Sequence, residues 1–235
     1  MEIEPGPPPS PAPTPPAVDW RRVRVWDLPT RLFHWLAVAL VAIAWLSQRM
    51  NWMQLHVRAG ETLLALVLFR LLWGCCGSET ARFSRFLASP KAAWRHLRHL
   101  ARREPDVQVG HNAAGGWMVL LLLALLLVET LSGLYVNNDV ADEGPLSEIV
   151  PAAIANAISA IHAVGWDVLA AAVVLHLCAI ALYALVKGHH LVGPMVTGTK
   201  PLPATTRVPR RASLWLAALL LGCAALVTAL LAFYL

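Results

Sequence analysis

Apolar residues in this chain fall into five long blocks, separated by polar, basic or proline-containing stretches. The blocks run from about Leu32 to Leu46, Leu55 to Trp73, Gly115 to Val136, Ile154 or Ile161 to Val186, and Leu214 to Leu235. A helix rising ~1.5 Å per residue needs ~20 apolar residues to cross hydrocarbon, so each block predicts one membrane span. The first is long enough only if Asn51 and Trp52 lie at the interface. Membrane-spanning strands are not expected, because a membrane barrel needs apolar and polar residues in alternation and runs such as Val119 to Val128 have none. The expected fold class is all-α and integral to a membrane. Ahead of the first span, the first 18 residues hold eight prolines together with Glu2 and Glu4. They lack the basic start and apolar core of a secretory signal and are expected to be disordered. On this reading the chain divides into a proline-rich tail (1–19), a membrane domain (20–195), a basic linker (196–212) and a fifth spanning helix (213–235).

Composition agrees: 57% of the residues are hydrophobic and 14% charged, against roughly 25% charged in an ordinary soluble domain. The distribution of charge predicts an orientation, since Lys and Arg are retained on the cytoplasmic side. Arg82, Arg85, Lys91, Arg95, Arg98, Arg102 and Arg103 lie between spans two and three, whereas Asp139, Asp142, Glu143 and Glu148, with no Lys or Arg, lie between spans three and four. Arg21, Arg22, Arg24 and Arg31 flank the start of span one, and the stretch from Lys187 to Arg211 is again basic. The N-terminus is therefore expected inside and the C-terminus outside. The net charge of +5 is a topology signal whose residues meet anionic lipid headgroups, and no aromatic-rich motif argues for nucleic acid.

Cys75, Cys76, Cys178 and Cys223 form no C-x-x-C or C-x-x-C-H sequence, which excludes covalent haem attachment and offers no zinc or iron–sulfur pair. The histidines carry more information, because a ligand-capable side chain in hydrocarbon is costly without a partner or a task. His34 lies at the inner end of span one, His56 opens span two from the outer side, and span four carries both His162 and His176. These two are 14 residues apart, which is ~21 Å along a helix and within ~40° of one face. One helix thus offers ligands at two depths, His176 level with His34 and His162 level with His56. Two such pairs fit two bis-histidine haem irons with no open coordination position, a wire across the membrane tuned by burial and by hydrogen bonds to the imidazoles. On spacing alone a histidine-lined ion or metal transporter stays open, although the inverted repeats expected of one are not found. A purely structural anchor would leave the paired histidines without a reason.

The segments Val23-Arg24-Val25-Trp26-Asp27-Leu28-Pro29-Thr30-Arg31-Leu32-Phe33-His34-Trp35, His56-x-x-x-Gly60, Phe69-Arg70-Leu71-Leu72-Trp73-Gly74 and Gly110-His111-Asn112-Ala113-Ala114-Gly115-Gly116, with His162 followed by His176, span roughly residues 20–195. Taken together they resemble the bacterial cytochrome b-561 and nickel–iron hydrogenase cytochrome b family. The resemblance implies a four-helix antiparallel bundle, to which the fifth span is an addition, enclosing two non-covalent b-type haems with His34, His56, His162 and His176 as axial ligands. It also implies an electron-transfer subunit of the bacterial inner membrane rather than a free-standing enzyme. Such a subunit exchanges electrons between membrane quinone and a redox protein such as a hydrogenase, another oxidoreductase or a c-type cytochrome, and is compatible with a homodimer. A self-contained quinol oxidase is the rival of the same kind and would turn over without another protein. The proline-rich head, Ala113 where Asn-Pro is common, and the span after Arg211 depart from the family pattern.

Around the four histidines, Arg58 and Arg70 lie within span two, where a guanidinium needs a partner. Haem propionates would serve, and so would an ion pair of Arg58 with Glu61 or Glu129. Glu129 reads either as a proton carrier at a quinone site or as a member of an intramembrane salt bridge. His111 begins span three in a Gly- and Asn-containing turn and is expected to be structural or interfacial; a functional role would be in a quinone or proton pathway near the inner haem. Gly60, Gly115, Gly116 and Gly133 would let a porphyrin or a helix approach closely. Trp26, Trp35, Trp45, Trp52, Trp73, Trp117 and Trp215 sit near span ends and read as interfacial anchors. His96, His99, His189 and His190 read as solvated loop residues, with a metal site at the last two as the minor alternative.

Overall fold

The computed structural model describes residues 19–98, 105–137 and 144–233. Residues 1–18 of the proline-rich tail, and His99, Arg102, Arg103, Asp139, Asp142 and Glu143, lie outside the described residues. Strand β1 (Trp20–Arg24) leads into α1 (Leu28–Arg49) and α2 (Met53–Cys76). Two short helices, α3 (Phe83–Phe86) and α4 (Pro90–Arg98), precede α5 (Ala113–Gly133) and α6 (Ala152–Leu182). A short α7 (Val192–Thr197), strand β2 (Thr199–Pro203) and α8 (Leu214–Phe233) complete the chain. The helices α1, α2, α5, α6 and α8 are long and apolar enough to cross a membrane. The first extends beyond its apolar block at both ends, which removes the doubt about its length.

The spanning helices begin where side chains satisfy their free amide groups. Asp27 caps α1, its Oδ1 accepting from the Thr30 amide at 2.8 Å, with Pro29 in the first turn. Asn112 caps α5 in the same way, its Oδ1 accepting from the Gly115 amide at 2.7 Å. Both residue types are favoured caps, and proline fits the first turn because no helical bond needs its missing N–H. Between α1 and α2 the chain reverses through Asn51 at φ 58°, a left-handed conformation that asparagine tolerates better than most residues.

Helices α1, α2, α5 and α6 share one apolar core, in which Ala37, Leu63, Val67, Leu126 and Leu169 are buried with Phe33, Leu40, Leu122, Trp166 and Val173 packed against them. Helix α2 is the most enclosed, since α1, α5 and α8 all pack on it, and α6 packs on α5. The fifth span therefore belongs to the body of the protein: Ala217 and Ala224 of α8 lie against Phe69 and Trp73 of α2. Small residues at this contact let the backbones approach, which is what drives helix association where lipid is as apolar as the side chains.

One end of the bundle carries a cap that the apolar pattern did not announce. β1 and β2 pair antiparallel with Trp20 opposite Pro203 and Arg24 opposite Thr199, so the stretch after residue 196 holds a strand. Val23, Val25, Trp26 and Leu202 form a small core beneath this ribbon. Helices α3 and α4 lie at the same end, and we refer to it as the sheet end and to its opposite as the turn end. Two tryptophans read as interfacial anchors prove to be internal. Trp26 is buried in the ribbon core, and Trp73 is fully buried, its indole N–H donating to Asp27 Oδ2 at 3.0 Å. Trp35, Trp45, Trp52, Trp117 and Trp215 are exposed as an interfacial role requires.

Candidate haem-binding site

The histidines of the spanning helices gather at two levels. At the turn end, His56 of α2 and His162 of α6 face each other with ring centroids 6.2 Å apart and planes at 87°. Each is held by its Nδ1. His56 Nδ1 lies 2.8 Å from the Ala44 carbonyl oxygen, and His162 Nδ1 lies 3.0 Å from the Glu129 carbonyl oxygen and 3.1 Å from Ser132 Oγ. A carbonyl can only accept, so in both rings Nδ1 carries the proton and Nε2 keeps a free lone pair. That is the tautomer and the outer hydrogen bond found on metal-ligating histidines.

The separation suits a metal between the rings. Allowing roughly 1 Å from each ring centre to its nitrogen, about 4 Å remains, the length of two metal–imidazole bonds of ~2 Å. Gly133 gives His162 its place, because a Cβ there would stand 3.2 Å from His162 Cε1. Half-buried Gly60 lies one turn beyond His56, and a Cβ built on it meets nothing within 4 Å. Gly60 thus borders open space beside the pair. Among the described residues no group of three or more His, Cys, Asp or Glu converges as a metal site. A haem asks less of the protein, since porphyrin supplies the other iron ligands and two histidines suffice.

The sheet end holds His34 of α1, six residues into that helix, and His176 of α6, six residues before its end. His34 Nδ1 is buried with no hydrogen-bond partner among the described residues. An orphaned buried nitrogen of this kind is costly, and ligation or a bound group would relieve it. His111 lies at this end: its ring is held between Trp26 at 4.5 Å and Phe86 at 4.6 Å. The positive φ of Gly110, +84°, directs the chain into this turn, a conformation that costs glycine nothing. A cavity of about 460 Å³ opens beside His111, with Phe86, Arg85, Gln108 and Arg207 in its wall.

The supporting residues separate into two groups. Arg58 pairs with Glu61 at 3.2 Å and its side chain is 62% exposed. Arg70 is buried, donates to the Ala81 carbonyl at 3.2 Å and lies over the Phe83 ring. Glu129 approaches His162 Nδ1 at 3.6 Å, so this carboxyl faces a histidine and not Arg58. Its other oxygen is buried without a partner among the described residues. Gly116 is close to the Phe86 backbone and Gly115 to its own cap, Asn112, which makes both packing residues, whereas Gly60 and Gly133 remain at the histidine pair.

The model of the family described as prokaryotic cytochrome b561 matches residues 25–198. The chain belongs to the prokaryotic cytochrome b561 family. The match covers all four helices of the shared core and both histidine levels, and leaves α8 outside. No curated protein matches the chain, and no solved structure does. Membership makes the chain a b-type cytochrome of a bacterial membrane, binding haem without covalent attachment and carrying electrons across the bilayer through contact with redox partners. Its motifs also acquire local explanations. In Val25-Trp26-Asp27, the valine and tryptophan seal the ribbon core and Asp27 ties the start of α1 to Trp73 of α2. In Gly110-His111-Asn112, the glycine turns, the histidine packs and the asparagine caps.

Sequence reasoning passed over two features of this site. The Nδ1 anchors of His56 and His162 are backbone carbonyls of other helices, which no sequence pattern marks. His96 is not a free loop imidazole, since its Nε2 lies 2.6 Å from the hydroxyl of Tyr183.

Proposed function

We propose that the cytochrome holds two haems, one between His56 and His162 and one between His34 and His176, and relays electrons between membrane quinone and a redox protein. The observation that carries this reading is the facing of His56 and His162 at 6.2 Å with both Nδ1 atoms anchored on carbonyl oxygens. When bound, the haems supply one-electron chemistry at two depths without an open iron position. The chain's own residues fix the imidazole tautomers, space α6 against α1 and α2, and exclude lipid from between the levels. Arg70, in place at the sheet end, supports the inner group through its positive charge. Arg58 is engaged by Glu61 at the turn end, and we assign it no direct contact with the haem there.

The orientation we favour puts the sheet end in the cytoplasm, with the C-terminus of α8 on the periplasmic side of the inner membrane. Arg82, Arg85, Lys91, Arg95 and Arg98 all lie at the sheet end, as retention of basic residues inside requires. The cavity beside His111 supports quinone access at that end. The redox protein is a hydrogenase, another oxidoreductase or a c-type cytochrome, and a homodimer is compatible with the exposed faces of α1 and α6.

A dithionite-reduced minus oxidised spectrum of the detergent-purified protein, with haem per chain from pyridine haemochrome, tests this. About two haems with a b-type α band are expected. His162→Ala or His56→Ala should remove the turn-end haem and leave the other, with His34→Ala or His176→Ala doing the converse. A folded, colourless protein would overturn the haem reading, and loss of all haem from each folded single variant would overturn the pairing.

A further inference from the structure

The sheet end contains a polar network that neither ligation nor helix capping uses up. Tyr183 is at its centre. It is buried, and it opens a wider π turn, Tyr183–Lys187, that ends α6; such turns recur at functional sites. Its hydroxyl lies 2.6 Å from His96 Nε2 of α4 and accepts from Asn112 Nδ2 at the start of α5 at 2.9 Å. Tyr183 follows His176 by seven residues, about 10 Å along the helix and within ~20° of the same face. The hydroxyl is therefore on the His176 face of α6, between the proposed inner haem and the sheet-end surface. Asn112 itself stands between His111 and Ala113, both in the wall of the adjoining cavity.

Charged groups also flank the Tyr183 ring. Lys187, buried, lies 5.8 Å from the Tyr183 ring centroid, and the ring of His189 is 6.3 Å from it. His189 Nδ1 is 4.0 Å from Asp106 Oδ2, and Asp106 also pairs with Lys200 of β2.

We infer that His96 and Tyr183 form a proton relay between the cytoplasm and the redox site at the sheet end, with Asn112 as the positioning residue that orients the phenol. The inference rests on the quinone reading above, in which one quinone takes two electrons and two protons to give one quinol. Asn112 donates to one lone pair of the phenol oxygen, and in the relay Nε2–H of neutral His96 donates to the other, which leaves the phenol proton pointing away from both. A proton arriving at His96 Nδ1 makes the imidazolium. Nε2 then gives its proton to the phenol oxygen as the phenol passes its own proton on toward the quinone oxygen. The ring is left protonated at Nδ1 and returns to the Nε2–H form before the next transfer, the phenol is restored, and the electrons come from the haem side.

The test compares two oxidants of the pre-reduced, haem-loaded full chain in stopped flow: a short-chain ubiquinone analogue, which needs protons, and ferricyanide, which does not. Tyr183→Phe and His96→Gln are expected to slow oxidation by the quinone about tenfold or more, in the range of lost acid–base catalysis. Ferricyanide oxidation and haem content should stay unchanged. Added imidazole should restore the quinone rate of His96→Gln. Equal quinone rates in wild type and both variants would overturn the relay, as would equal slowing with both oxidants, which would make the network structural. A wild-type chain that ferricyanide oxidises and no quinone does would instead overturn the quinone reading, and the relay with it.

Discussion

Gly133 offers a graded test of the turn-end histidine pair. A Cβ at this position would stand 3.2 Å from His162 Cε1 and 3.6 Å from its Nδ1. Non-bonded carbons settle at about 3.5–4.0 Å, so in Gly133→Ala the imidazole must withdraw by roughly 0.3–0.8 Å. Metal–ligand distances tolerate about 0.2 Å. The ring cannot keep both its hydrogen bond to Glu129 and a normal bond to iron, and overpacking of this kind costs about 1–3 kcal/mol. That corresponds to roughly 5- to 150-fold weaker retention of one haem, with the His34–His176 haem unaffected. Alanine is the better helix former by up to about 1 kcal/mol, so general unfolding would run against the substitution. Release of haem to an excess of a haem-scavenging protein, followed by absorbance, measures the effect. Gly133→Leu should abolish binding at that level. Wild-type retention of both haems in both variants would refute the placement of a haem between His56 and His162.

Three further outcomes follow from single contacts. Trp73→Phe removes the indole N–H that reaches Asp27 Oδ2 at 3.0 Å in a fully buried setting; the loss of a hydrogen bond to a carboxyl costs about 1.5–3 kcal/mol. Thermal unfolding in detergent should fall accordingly, and an unchanged midpoint would contradict the contact. Arg58→Ala breaks an exposed pair with Glu61 and should cost less than about 1 kcal/mol, with haem content by pyridine haemochrome retained; loss of haem would show that Arg58 contacts the group directly. Glu79 is held below the usual carboxylate range by the Arg210 backbone N–H and then by Arg207 and Arg85. Its contribution is present above about pH 4.5 and is lost as pH falls through the lower folded value. The protection of the Arg210 amide relative to its intrinsic exchange rate should therefore fall on acidification in wild type and should not vary with pH in Glu79→Gln.

Much of the fold was legible because hydrocarbon imposes a length and a composition on anything that crosses it. Five apolar blocks became five helices, and the ends moved by a few residues to where Asp27 and Asn112 could cap. The fixed rise and rotation of a helix also put His162 and His176 near one face of α6 at two depths. The all-α membrane class and the cytochrome family were likewise carried by periodicity and motif.

Contacts between distant residues had to come from the tertiary structure. The ribbon of β1 and β2 joins opposite ends of the sequence, and a five-residue strand has too little pattern to announce itself. Trp73 reads as an anchor by position and becomes internal because α8 and the 79–81 turn cover it. His96, polar and in a basic stretch, reads as solvated until α4 folds against α5 and meets Tyr183. The carbonyls that anchor His56 and His162 belong to α1 and α5. Every residue carries the same backbone carbonyl, so side-chain identity can nominate a ligand but only the packing of helices decides which oxygen holds it in place.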